Sequence, residues 1–518
     1  MRQLKNEKLT WTKPISSSVL KEDFDLSLTR AVSALNDPQG ENVTLVCLPS
    51  LTFDSEHIKD ILGISHYEVR CLWEVLNASQ EHVKVIFISS RPVSESILED
   101  MLSHLPNPQN ARKRVEILSV DPLNKYKDIP LVEKVFKNQT VLKDLKKRLK
   151  NERALLRCFV TTQREKNFAQ KIGIPLWGMD PDLNFYHSKS GNHVLFDQAD
   201  IPRADNEREI KSLRSLKSAI KKLWSRWPLA KRFMFKFDHG VSGNGLALMN
   251  LNMNYNEFFN LSVGKKNQYL DQLIRSLEFK GKKLSQNEFL TQLSQGAVLE
   301  HFFEGDKKTS PSGQAVNYPD GGVEVLSTHE QILDDTGVTY LGCKFPAKPS
   351  YRKEVENFTF EVAQTLSFNG IIGPISVDFL VVEEKKKEPS IYAIEINIRQ
   401  GGTTHPFQTA SHVLSAKYNQ KRGSLEDKDG LHRIYSSNDN LVLNGKNGRD
   451  FRALTNLLKK HGLAFNKKNK SGFVFHMMSA LEEFGKCGYT LIARDHQHCV
   501  VLEDKLFKLL EEFNFLSN

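Results

Sequence analysis

Residues 391–406 read IYAIEINIRQGGTTHP, and the fold and the chemistry are both read outward from them. Side chains of an extended strand alternate between two faces. Tyr392, Ile394, Ile396 and Ile398 are therefore expected on one side, and Glu395, Asn397 and Arg399 on the other. The run ISVDFLVV at 375–382 alternates in the same way, with Ile375, Val377 and Phe379 set against Ser376 and Asp378. Between the two runs lies EEKKKEPS, charged and interrupted by proline, which reads as a hairpin connection. Antiparallel pairing then places Asp378 on the face of Glu395 and Asn397, so that two carboxylates and an amide converge. Oxygen donors of this kind suit Mg²⁺, and the planar fork of Arg399 suits a phosphate or carboxylate. The competing reading is the solvated face of an ordinary amphipathic hairpin, against which the scarcity of Asp and Asn in strands counts.

The 518 residues are 39% hydrophobic and 26% charged, the balance of a folded globular chain rather than a disordered one. The length implies about two to four domains. Lys and Arg outnumber Asp and Glu by 72 to 62, a net charge of +10. The excess is scattered in runs such as KDLKKRLK (143–150) and KKNK (467–470), which fit phosphates, acidic substrates or solvated helix faces. There is no arginine-rich tract or aromatic-interleaved basic stripe, so no nucleic-acid partner is expected. The six cysteines are dispersed without a CxxC pair, which points to reduced thiols and a cytoplasmic location. HQHC at 496–499 lacks the second spaced pair that a structural metal site needs. The opening MRQLKNEKLTWTKP has no apolar core, and apolar runs elsewhere are short, so neither export nor membrane insertion is expected.

Residues 1–40 are polar and end in the turn DPQGEN. From there VTLVCLP (43–49), VKVIFISS (83–90), VEILSV (115–120) and LLRCFV (155–160) read as buried strands separated by helical patterns such as 94–105, the signature of a parallel, Rossmann-like sheet. No GxGxxG follows the first strand, so a dinucleotide site there is not supported. A helix is expected to begin near Ser188. In RFMFKFDHGVSGNG (232–245), Phe233, Phe235 and Phe237 fall on one face and Lys236 on the other. The glycine-bearing loop that follows can let backbone NH groups approach phosphate, although a plain hairpin turn has the same composition. GAVLEHFFEGD (296–306) reads either as a core strand or as a strand leading to an adenine slot flanked by Val298 and Phe303.

Taken in order, Lys189, Lys236, the 242–245 loop, the strand ending at Glu300, Asp378 and the Glu395-Ile396-Asn397 triplet resemble the ATP-grasp enzymes. EVLSTHEQIL, YLGCKFPA, EINIRQGGTTHPF, GFVFHMMSALEEFGKCG, HYE and GIPLWGMDP are similar to the subgroup related to the pheganomycin peptide ligase. The resemblance implies a mixed α/β and α+β chain. After a polar extension (1–40) come a Rossmann-like pre-ATP-grasp domain (41–185), a two-subdomain ATP-grasp domain (186–406) and a small C-terminal α+β region (407–518). It implies that Lys189 and Lys236 hold ATP phosphates beneath Ser242, Gly243, Asn244 and Gly245. Glu300, His301, Phe302, Phe303 and Asp306 would bind the rest of the nucleotide. Asp378, Glu395 and Asn397 would hold Mg²⁺, with Mn²⁺ as a substitute. Arg399, with Lys236, would serve the transferred phosphoryl group, and Thr403, Thr404 and His405 would line the substrate side. Three positions depart from the usual pattern: Ser188 and Asn244 stand where acidic residues are common, and Lys307 stands near the expected ribose-binding acid.

The activity so implied is ATP- and Mg²⁺-dependent joining of a carboxylate to an amine through an acyl phosphate, releasing ADP and phosphate. The partners would be small-molecule or peptide acids and amines, with homodimerisation left open and a thiol or macromolecular amine as a variant. The reading from another class is a nucleotide-binding regulatory or scaffold protein without turnover.

Overall fold

The protein is described by a computed structural model covering residues 19–52, 64–126, 129–240, 245–280, 284–305, 307–334, 337, 340–384, 388–445 and 448–516. Ser242, Gly243, Asn244 and Asp306 lie outside these residues, as do residues 1–18 of the polar start and residues 385–387 of the connection between the two central strands.

Five strands form the first sheet: β1 (Val43–Leu48), β2 (Val83–Ser89), β3 (Val115–Ser119), β4 (Ala154–Cys158) and β5 (Leu176–Trp177), in the order β3-β2-β1-β4-β5. Every pairing is parallel. β1 is buried at all six positions, as a strand covered on both faces must be. On one face Val46, Ile86 and Leu156 pack with the helices between 131 and 172, and on the other Leu45, Val85 and Phe87 join a second core.

The second sheet belongs to a small lobe: β6 (Asn206–Glu207), β7 (Arg232–Phe237), β8 (Leu246–Asn250), β9 (Glu278–Phe279) and β10 (Ala297–His301), in the order β6-β10-β7-β8-β9. Phe233, Phe235 and Phe237 lie in its core with Leu216, Leu223 and Trp224 of the helix Leu213–Arg226. Lys236 stands on the opposite face, as the alternation requires.

The third sheet is large and antiparallel. β11 (Lys307–Thr309), β12 (Pro311–Asn317), β13 (Val323–Leu333), β14 (Tyr340–Phe345), β15 (Gly373–Glu383) and β16 (Ser390–Asn397) are extended through β14 by β19 (His432–Val442). β19 pairs in turn with β18 (Ser424–Asp427), which carries β17 (Ala416–Asn419), and with β21 (Lys486–Ala493), which carries β20 (Gly472–His476). The helix Arg352–Phe368 covers one face through Val355, Val362 and Leu366. Residues of β1 and β2 share a single core with Leu441, Phe473, Tyr489 and Leu491. The first sheet and the C-terminal strands are thereby packed as one mass. No helix among the described residues is long and apolar enough to cross a membrane.

Candidate active site

β15 and β16 pair antiparallel, with Asp378 opposite Glu395 and Ser376 opposite Asn397. The expected convergence is therefore present. One part of the expected alternation fails. The register slips between Asp378 and Phe379, whose partner is Ala393, so Ile394 is an extra residue in a β-bulge. Beyond the bulge the phase reverses. Ile391 and Ala393 join Ile396 and Ile398 in the core, whereas Tyr392 and Ile394 do not. Tyr392 instead stacks on Phe303, with ring centroids 3.9 Å apart.

Within the hairpin, Asn397 Nδ2 donates to Asp378 Oδ2 (3.1 Å), Gln331 Nε2 donates to Asp378 Oδ1 (2.6 Å), and Arg399 Nη2 donates to Asn397 Oδ1 (2.7 Å). Asp378 thus has amide donors but, among the described residues, no cation in ion-pair contact. Burial and the neighbouring Glu395 push its carboxyl up to about 7. Burial would also raise Glu395, yet Lys189, with Nζ at 2.5 Å from Oε1, brings it below the ordinary carboxylate value. A half-buried carboxylate without an ion-pair partner among the described residues, beside a second carboxylate and an amide oxygen, is an all-oxygen donor set that fits Mg²⁺.

Lys189 is the first residue of the helix Lys189–Gln198, whose N-terminus is capped by Ser188 Oγ accepting from Gly191 N at 2.9 Å. Gly191 is dictated by space, because a Cβ there would sit 2.0 Å from the Phe185 carbonyl oxygen. Asn192, from the same helix, accepts from the Ile396 NH (2.9 Å) and so ties the helix to β16. One turn after Lys189, His193 Nε2 reaches Glu300 Oε1 at 2.8 Å, and Lys236 Nζ reaches Glu300 Oε2 at 2.8 Å. Asn206 donates to His193 Nδ1 (3.1 Å), which places the ring proton on Nε2, toward Glu300. Burial alone would raise Glu300, but Lys236 and His193 outweigh it and hold the carboxyl at about 2. Both Glu300 oxygens are engaged by protein groups, so Glu300 orients Lys236. His301 stacks on Trp227 at 3.9 Å, and Phe302 lies between Arg232 and Lys308. Phe303 meets the hairpin through Tyr392, and Gly245 adopts φ +85° beside the Phe237 ring.

On the other side of the hairpin, Thr404 Oγ1 accepts from Gly401 N at 2.9 Å, and Thr403 precedes the helix Thr404–Leu414. His405 differs from its expected place on the substrate side. It is 3% exposed, its Nδ1 accepts from Arg70 Nε (3.2 Å), and its Nε2 lies 3.0 Å from Asp439 Oδ1. His476 Nε2 stands 2.9 Å from the same oxygen, and Arg70 Nη2 pairs with Asp439 Oδ2 at 3.1 Å. The ligand atoms of His405, Asp439 and His476 lie within 4.8 Å of one another, a spacing that a metal ion would accept. Charge argues otherwise. Arg70 already neutralises Asp439, its donation to His405 leaves the ring proton on Nε2, and burial depresses His405 to about 3. A divalent ion would add two uncompensated buried charges.

Several of these residues escaped the strand-by-strand reading. His193 had a signal, since it follows Lys189 by four residues on one helix face. Half-buried His187, two residues before Lys189, is depressed to about 3 by its enclosure and by the nearby Arg399 and Lys189 charges. Gln331, Arg70, Asp439 and His476 reach the centre only through long-range packing, and no local pattern marks them.

The family model described as IQCH-like ATP-grasp matches residues 182–286 and 272–421, the span that carries this cleft. Residues 182–421 are an ATP-grasp domain. A further model, the PGM1 C-terminal domain, matches residues 453–506. The chain is similar to the L-propargylglycine–L-glutamate ligase of Streptantibioticus cattleyicolor, 31% identical over 213 residues, which are 41% of this chain and 42% of that protein. It is also similar to IQ motif-containing protein H of Danio rerio, 21% identical over 422 residues, 74% of this chain and 40% of that one. The chain therefore spans less than half the length of these curated relatives. Biotin carboxylase from Campylobacter jejuni, solved as a complex with β,γ-ATP, shares the fold. Its TM-score is 0.52 at 12% identity, over 90% of this chain and 91% of that chain. The ATP-grasp domain has the two lobes expected of it, one around β7 and β10 and the other around β15 and β16.

Proposed function

We propose that the chain is an ATP- and Mg²⁺-dependent ligase that joins a carboxylate to an amine, forming a peptide or amide bond and releasing ADP and phosphate. The observation that carries this reading is the meeting of Asp378, Glu395, Asn397 and Arg399 on one face of the hairpin, with Lys189 against Glu395 from the facing helix. The ligase among the relatives, whose name specifies joining one amino acid to another, supports it.

In this reading Lys189 and Lys236 hold the ATP phosphates, and Glu300, itself held by His193, orients Lys236. Asp378, Glu395 and Asn397 hold Mg²⁺, which when bound neutralises phosphate charge as it shifts during transfer. An oxygen of the acid attacks the γ-phosphorus and the bond to the ADP oxygen breaks, giving an acyl phosphate. The amine nitrogen then attacks the acyl carbon, phosphate leaves with the C–O bonding pair, and the nitrogen loses a proton. Arg399, fixed between Asn397 and the Gln400 carbonyl, meets the transferred phosphoryl group with a planar pair of donors. No side-chain nucleophile is required, because positioning and charge neutralisation supply the catalysis.

The test is incubation with ATP, Mg²⁺ and pooled amino acids. ADP and phosphate should appear together with a condensed product detected by mass spectrometry, and AMP with pyrophosphate would overturn the class. Glu395→Gln should abolish turnover while largely sparing the fold, with the melting temperature lowered because Lys189 loses its carboxylate partner. A second reading, a nucleotide-binding module without turnover, draws on the longer match to a relative named for a motif rather than a reaction. Tight ATP binding with no product from any acid would favour it.

A further inference from the structure

The segment from Arg399 to His405 leaves the hairpin and enters the helix Thr404–Leu414, and it is gripped by groups that belong to neither. Gln400 is 4% exposed. Its backbone NH donates to the Phe159 carbonyl (3.1 Å), and its side-chain amide donates to Glu74 Oε1 (3.1 Å) and to the Cys158 carbonyl (3.3 Å). Glu74 is itself held by Arg157 at 2.7 Å. All of these partners lie in or beside the first, parallel sheet. At the other end of the segment, His405 is fixed by Arg70 from the same region and by Asp439, shared with His476, from the C-terminal strands. Immediately before the first anchor, Arg399 spans from Asn397 Oδ1 (2.7 Å) to the Gln400 carbonyl (3.1 Å).

We propose that Gln400 and His405 are positioning residues through which the parallel-sheet domain and the C-terminal strands set where the Arg399 guanidinium stands. The proposal rests on the ligase reading for what Arg399 does, but the grip itself is independent of it. The contacts of Gln400 with Glu74 and the Cys158 carbonyl are directional and buried, and those of Arg70 and Arg399 are part-buried, so the loop is held in one arrangement by groups with little access to water. Lys189 and Lys236 approach from other elements, so nucleotide binding and Arg399 placement are separable. Loss of the grip costs placement, and a displacement of about 1 Å at a reacting centre costs on the order of 10²-fold in rate.

The test uses the full chain and the variants Gln400→Ala and Asp439→Asn, the second keeping side-chain volume if the first fails to fold. Three quantities are read: affinity for Mg·ADP by calorimetry, kcat and KM for the acid that gives product, and amide hydrogen exchange. The expected result is Mg·ADP affinity within about threefold of wild type and kcat lowered about 10²-fold. Exchange across residues 399–405 should be faster while that of β15 is unchanged. Equal losses in nucleotide affinity and kcat would overturn the proposal by showing general damage, and so would a wild-type kcat. If the wild type binds Mg·ADP but makes no product, the ligase reading falls. The exchange arm then still decides the grip, and unchanged protection of 399–405 in both variants would sink it.

Discussion

Glu300, buried, and Asp378, half-buried, are carboxylates driven in opposite directions by what faces them. At Glu300 two cationic or proton-bearing partners hold the carboxyl at about 2, below its usual 4.5. Its stabilising contribution is therefore complete above the unfolded value and is lost as pH falls through about 2. Glu300→Gln should remove that acid limb and, at pH 7, leave the Lys236 ammonium buried without its counter-ion. Breaking such a pair costs roughly 3–5 kcal/mol, a loss that urea unfolding of both proteins measures. At Asp378 the carboxyl is pushed up to about 7 from 3.8. Between these values the unfolded chain is ionised and the folded one is not, so stability declines as pH rises from about 4 to 7 and is level above that. Thermal unfolding without Mg²⁺ should show this slope in wild type and a flatter one in Asp378→Asn. If the two slopes coincide, the environment assigned to Asp378 is wrong. The identity of the charged residues was legible in the sequence because lysine and acid side chains on strands are hard to explain otherwise. Their partners were not. His193 alone, by its helical spacing from Lys189, was within reach of a local argument.

At the scale of elements, the hairpin and the shared face of Asp378, Glu395 and Asn397 followed from alternation, because a strand with one buried face disfavours a slipped pairing. The bulge at Ile394 did not. Alternation alone carries no sign of an inserted residue, and Tyr392 accordingly turned out on the side of Phe303. Of the two glycines of RQGGTTH, Gly402 is explained by approach rather than by backbone angle. A Cβ on Gly402 would lie 2.6 Å from the ring of Tyr340, whose hydroxyl also donates to the Gly402 carbonyl at 3.0 Å. Gly402→Ala should therefore destabilise by about 1–3 kcal/mol through overpacking and slow turnover by moving the loop. Pairing it with Tyr340→Ala should return part of the stability, which a thermal-shift comparison of the four proteins would show. A fully additive double variant would mean that the two sites do not touch.

For the whole molecule, a parallel sheet at the front of the chain was legible from strand spacing, whereas the core it shares with the C-terminal strands was not, since the residues of β2 and β21 that join that core lie hundreds of residues apart in the sequence. The sheet runs without a break from β15 through β14 into β19. A fragment ending at residue 421, where the ATP-grasp match stops, would strip β19 from β14 and leave a bare row of main-chain donors and acceptors along Gly342–Phe345. Unprotected edges of this kind recruit other chains, so the excised fragment should sediment as large assemblies, while one continued through residue 516 should not. Anyone hoping to transplant this catalytic lobe into another protein would have to carry its lateral neighbour along, because the seam at which the family boundary falls is not a place where the molecule can be cut.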